Sequence, residues 1–163
     1  MSRKKIQYTS LLKVKDSQLP DPFPLLNGWL DENVGMNNWP PIFQLHIAEF
    51  LLTAEQKQIN LNKRLLSDYM EGKTYSYFDS KWLRNVYYHQ ISSPSKYCFM
   101  KSESTPSENI SNVPHQIWVC AEKRTGTVGS AYYTCFAGYV IYFMHILGIF
   151  LIWSSEYVVP NYN

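Results

Sequence analysis

Between Thr125 and Ser155 the chain carries no Asp, Glu, Lys or Arg, and inside that interval Ala131–Trp153 reads AYYTCFAGYVIYFMHILGIFLIW. Apolar surface is driven out of water at roughly 25 cal/mol per Å², so a run of this kind needs a protein core or a bilayer. It has two parts. The first is strand-like and ends at an Ala137-Gly138 turn, after a single cysteine, Cys135. The second, Tyr139–Trp153, is almost wholly apolar and holds one histidine, His145. By itself the second part has the length of a buried helix. Together with Ala131–Gly138 it reaches the ~20 residues that span hydrocarbon. Both destinations stay open: a helix packed on a sheet, or a single membrane span near 132–153. In the second case Tyr132, Tyr133 and Trp153 would be interfacial anchors, and Lys123-Arg124 would mark the cytoplasmic side.

The rest of the composition constrains less. At 163 residues the chain holds one domain, with room for a small helical extension. A formal charge of +2 gives no strong global field. The charge is uneven, because Met1–Lys15 carries Arg3, Lys4, Lys5, Lys13 and Lys15 and no acid. Such an arm touches phosphate, serves as a nuclear address, or is simply solvated. The cysteines are Cys98, Cys120 and Cys135, an odd number, and no apolar run follows the N-terminal charges. A reducing compartment is therefore expected, nuclear or cytoplasmic, with a membrane location as the alternative.

Along the chain, residues 1–38 read as a basic and Pro-rich disordered arm and linker, with Pro20, Pro22, Pro24, Gly28 and Gly35 as punctuation. Residues 39–72 read as helical. A first helix over Pro41–Leu52 places Ile42, Leu45, Ile47, Ala48, Leu51 and Leu52 largely on one face. His46 lies mid-helix with no second ligand at i+4, which suits a surface or core-edge histidine. A second helix is expected over Ala54–Met70, with Gly72 as its stop. Then the period changes. Trp82–Ile91, Lys96–Lys101, Gln116–Glu122 and Thr127–Cys135 read as strands, with a polar loop over Ser102–Pro114 and a turn at Lys123–Gly126. Short strands joined by turns predict an antiparallel meander. The expected class is α+β: N-terminal helices, a small antiparallel β meander, then a C-terminal apolar helix, ββα finger-like.

Several stretches resemble a known family. They are WPPIFQLHIAEFLL (Trp39–Leu52), YMEGKTYSYFDSKWLRNV (Tyr69–Val86), YCFMKSESTPS (Tyr97–Ser107), PHQIWVCAEKRTGTVGSAYYTCFAG (Pro114–Gly138) and the His145 segment. They are similar to proteins with a SWIM-type zinc finger found beside YqaJ-type viral-recombinase domains in transposon-derived genes. The resemblance implies a finger region over 82–153 with a tail at 154–163, and zinc held by C-x-C, a spacer, and C-x-H. Laid onto this chain, the ligand positions fall on Tyr133, Cys135, Phe143 and His145. Cys135 and His145 are retained as metal ligands, whereas Tyr133 and Phe143 replace the other two. A structural zinc needs a closed tetrahedron of thiolate and imidazole ligands. A two-ligand site is weak and open, so the family's zinc is expected to be absent or weakly bound here, with Tyr133 and Phe143 filling the space. Cys98 or Cys120 could rescue a ligand set only by facing Cys135 and His145.

No nucleotide-binding, nucleophile-elbow or metalloprotease motif is present, and the acids Asp79, Glu103, Glu108 and Glu122 are scattered. The resemblance implies a nuclease domain after the finger, and only about ten residues follow Trp153. The chain is expected to be non-catalytic, with no small-molecule substrate. Its expected role is a binding module contacting DNA or protein. Arg84, Lys96, Lys101, Lys123 and Arg124, with Trp82 and Trp118 nearby, are the candidate nucleic-acid contacts. The alternatives are a single-pass membrane protein and a non-functional transposon-derived fragment.

Overall fold

Two segments of this chain, YCFM and IWVCA, are apolar without alternation. A strand with that pattern must be covered on both faces. The computed structural model describes residues 8–53, 84–105 and 113–134. After a helical turn at 8–11, β1 (Lys13–Val14) and β2 (Ser17–Gln18) form a small hairpin. Next come α1 (Glu32–Gly35), a 3-10 turn (Met36–Asn38) and α2 (Gln44–Thr53). Four strands complete the described chain: β3 (Tyr87–His89), β4 (Tyr97–Ser104), β5 (His115–Glu122) and β6 (Val128–Tyr133). They pair in chain order, every neighbour antiparallel. The class is α+β, built on an antiparallel meander.

Each face of the sheet carries its own core. On one, Cys98, Met100, Ile117, Val119, Ala121 and Tyr133 pack with Val86, Tyr88, Ile42 and Ile47, the last of these from α2. On the other, Tyr97, Phe99, Trp118 and Cys120 are covered by Leu12, Val14 and Leu19 from the N-terminal hairpin. Tyr8, Phe23, Leu25 and Trp29 extend this cover as partly buried side chains.

The second cover corrects the reading of 1–38 as arm and linker, for the part that is described. Residues 8–38 carry one half of a core, and Pro22 is among the fully buried side chains. Proline lacks a backbone donor, and its ring is apolar, so it can be buried in irregular chain with no N–H left to satisfy. Irregular chain has no period, which is why its anchors do not register as an element. The segment also closes a sheet edge. Leu30 and Tyr88 exchange both backbone hydrogen bonds, each 2.8 Å long, alongside β3.

Element ends shift for local reasons. α2 begins at Gln44 rather than Pro41. The Phe43 N–H donates to His46 Nδ1 at 3.1 Å, and the His46 N–H donates to the Phe43 carbonyl at 3.0 Å. His46 thus closes the helix start, as the third residue of a capping box does. Ile42 and Ile47 are buried as expected, but Leu45 is 63% exposed. β3 is shorter than Trp82–Ile91. β4 runs on to Ser104, where the buried Ser102 hydroxyl contacts the Arg84 carbonyl (2.8 Å) and the Asn85 carbonyl (3.0 Å). The expected helix over Ala54–Met70, the end of the fourth strand at Cys135 and the C-terminal apolar helix lie outside the described residues.

The Lys123–Gly126 turn folds as expected, with Glu122 N–H donating to Thr127 and Gly126 N–H to Glu122, each at 2.9 Å. Gly126 has φ +75°, and a Cβ there would collide with the Pro41 carbonyl. Past the turn, β6 bulges opposite Cys120/Ala121. Gly129 sits in the bulge, where a Cβ would come within 2.6 Å of Val14 Cγ1. The bulge lets the hairpin press on the sheet.

Gly126→Ala should lower stability by about 2 kcal/mol or more, since it combines left-handed backbone with a backbone clash. Val113→Ala, at an exposed site, should change it by less than about 0.5 kcal/mol. Urea midpoints of the two variants check both values.

Candidate functional site

Tyr133, at the first ligand position of the expected zinc site, points into the α2-side core and is only 2% exposed. Its ring lies 5.3 Å from that of His115, and its hydroxyl is 3.4 Å from Ser104 Oγ. A buried phenol packed this way does not fit zinc, which takes thiolate, imidazole or carboxylate. Cys135, Phe143 and His145 lie outside the described residues.

Cys98 and Cys120 are fully buried and belong to opposite faces of the sheet. They cannot join one metal centre together, so at most one could supplement Cys135 and His145. Both behave as apolar fillers. Burial pushes the Cys98 thiol up to about 12, opposed by nearby Lys123. Burial also raises Cys120, with Cys98 adding to it. Among the described residues, no group of three or more His, Cys, Asp or Glu is placed to hold a metal.

The five basic residues proposed to contact nucleic acid do not form one patch. Lys96, Lys123 and Arg124 gather at one end of the β4–β5 ladder, where the Lys123 N–H donates to the Lys96 carbonyl at 2.8 Å. Lys123 Nζ also donates to the Ser92 carbonyl at 2.9 Å. Lys15, read from sequence as part of the arm, lines a cleft of about 480 Å³ with Lys96, Ser92 and Asp16. Arg84 and Lys101 stand toward the other end. Arg84 Nη1 lies 3.2 Å from Glu103 Oε2 in an exposed pair. Lys101 Nζ sits 3.9 Å from the centre of the Trp29 ring. Partial burial lowers the Lys101 pKa, and Glu103 opposes that shift.

Trp118 is not the surface aromatic expected beside these cations. It is 1% exposed, held edge-on by Phe99 at 5.7 Å and by Tyr8 at 6.3 Å. Trp82 lies outside the described residues. The Lys101 ammonium lies against Trp29, and a second, exposed aromatic, Tyr87, is the cross-strand partner of Lys101 on β3. Sequence reasoning missed it. The alternation of the strand does carry the signal, because Tyr87 lies on the side opposite the buried Tyr88. Tyr87, Lys101, Arg84, Asn85, Gln116 and Phe23 line a second cleft, of about 460 Å³.

Comparison of the chain with protein-family models, with curated proteins and with solved structures finds no match in any of the three.

The buried thiols give a pH signature. An unfolded cysteine ionises near 9 and folded Cys98 near 12. Above about pH 9 the unfolded state therefore binds fewer protons, and stability falls as pH rises through that window. Each pH unit costs at most about 1.4 kcal/mol per thiol. Urea midpoints should drop steadily from about pH 9 upward, and Cys98→Ala should make the slope shallower.

Proposed function

We propose that the chain is a non-catalytic, SWIM-type zinc-finger-like binding module in which aromatic packing has taken the place of zinc. The observation that supports this is Tyr133: the first ligand position is a ring sealed in a core, its hydroxyl against Ser104. In this reading an apolar helix over Tyr139–Trp153 follows the meander, and Phe143 stands at a second replaced ligand position. Packing of this kind is weaker than metal. An aromatic pair contributes about 0.5–1.5 kcal/mol beyond area burial, whereas structural zinc contributes about 10 kcal/mol or more. The double core around β4 and β5 makes up part of that difference.

The partner proposed is nucleic acid, met by cations at the two ends of the β4–β5 ladder, in a nuclear or cytoplasmic setting. Phosphate contacts of this kind release counterions, so affinity should fall as salt rises. Among the described residues no helix is long and apolar enough to cross a membrane. Fractionation of the full chain tests the membrane alternative: recovery without detergent supports the module, and carbonate-resistant membrane association sinks it.

Metal content is the direct test. Purified protein should contain close to no zinc per monomer, and about one equivalent would overturn the reading. The double substitution Tyr133→Cys with Phe143→Cys should raise zinc content toward one equivalent, because it restores the four-ligand set.

A further inference from the structure

The cleft of about 460 Å³ lies on the sheet face that the N-terminal hairpin covers, at the end the hairpin leaves open. Its floor is a row across three strands, with Tyr87 opposite Lys101 and Lys101 opposite Trp118. Phe23 stands on one side, and Arg84 and Asn85 on the other.

Three features converge there. The Lys101 ammonium is partly buried against the Trp29 ring and has no hydrogen-bonded acceptor among the described residues. Arg84 engages Glu103 through one nitrogen only, so guanidinium donors remain. Tyr87 is 37% exposed, is the cross-strand partner of Lys101, and lines the cleft with it. Asn85 and Gln116 line the same space, and their amides can both donate and accept. A cation pair, an open ring and two amides match the parts of a nucleotide: phosphate, base face and base edge.

We infer that this cleft takes one nucleotide of a single-stranded nucleic acid, its phosphate on Lys101 and Arg84 and its base against Tyr87. The inference rests on the nucleic-acid reading above and sharpens it. The volume lies in the range of small-ligand sites, roughly 300–1,000 Å³, and suits one splayed nucleotide. A duplex keeps its bases stacked inside and cannot enter such a recess. Glu103 also lines the cleft, and its pairing with Arg84 offsets the repulsion its carboxylate would exert on a phosphate there. Lys96, Lys123 and Arg124, at the far end of the ladder, then act as sequence-independent backbone contacts.

The test is fluorescence anisotropy of a short labelled oligothymidylate with the full chain, against a duplex of the same length and against thymidine monophosphate as competitor. The single strand should bind more tightly than the duplex. Tyr87→Ala should weaken strand binding at least about fivefold, the lower end of one stacked base, and Tyr87→Phe should retain it. Lys101→Gln should weaken it and reduce the salt slope by about one. Circular dichroism of each variant checks that the fold persists. Competition by the monophosphate would show that the cleft also takes a free nucleotide. No competition, with the Tyr87 and Lys101 effects intact, would assign it to the strand. Strand binding that ignores Tyr87→Ala and Lys101→Gln but is lost when Lys96, Lys123 and Arg124 are all changed to Gln overturns the cleft and leaves the broader reading standing. No binding of any nucleic acid overturns both.

Discussion

The pairing of β4 with β5 is the interaction on which the rest of the structure depends. Their register runs from Tyr97 opposite Glu122 to Ser104 opposite His115. In the middle of the ladder, Cys98, Phe99, Met100, Val119, Cys120 and Ala121 are all fully buried. Strands that are apolar on both sides cannot face water on either. Every other element then has a place because one of the two faces must be covered. α2 and the Pro41–Ile42 segment cover one, and the N-terminal hairpin and the chain through Trp29 cover the other.

The N-terminal cover is an aromatic assembly with a few polar ties. Tyr8, Phe23, Trp118 and Tyr132 meet with ring centroids between 4.7 and 6.3 Å apart. The Tyr8 hydroxyl donates to Asp21 at 2.6 Å, and burial together with that carboxylate raises its pKa. His89 ties the next stretch down. Its Nδ1 accepts from the Ile91 N–H at 2.8 Å, which leaves Nε2 to donate to the Asn27 carbonyl at 3.0 Å. A single neutral tautomer satisfies both contacts. Aromatic rings suit such a seam, because they bury large area with few rotatable bonds while tyrosine keeps a polar tip.

The same economy bears on function. A ring at Tyr133 is compatible with a module that needs no metal to close its core. The hairpin covers only part of its face, and the cleft beyond it gathers side chains from β3, β4 and β5 with Phe23 from the N-terminal segment. Those residues are far apart in the chain, so no local motif announces them.

What the sequence alone determined is the part governed by local period and turn chemistry. The meander, the Lys123–Gly126 turn, the burial of Ile42 and Ile47 and the α+β class follow from alternation, β-branched and aromatic content, and glycine at a left-handed position. His46 was legible as a core-edge histidine, though its capping role needed the geometry at Phe43. Tertiary structure alone decided the rest. It placed Cys98 and Cys120 on opposite faces, buried Trp118, joined Lys15 to Lys96, and turned residues 8–38 from linker into core. These depend on which face of a strand meets which distant segment. Pairwise burial across long sequence separations sets that outcome, and no window along the chain contains it.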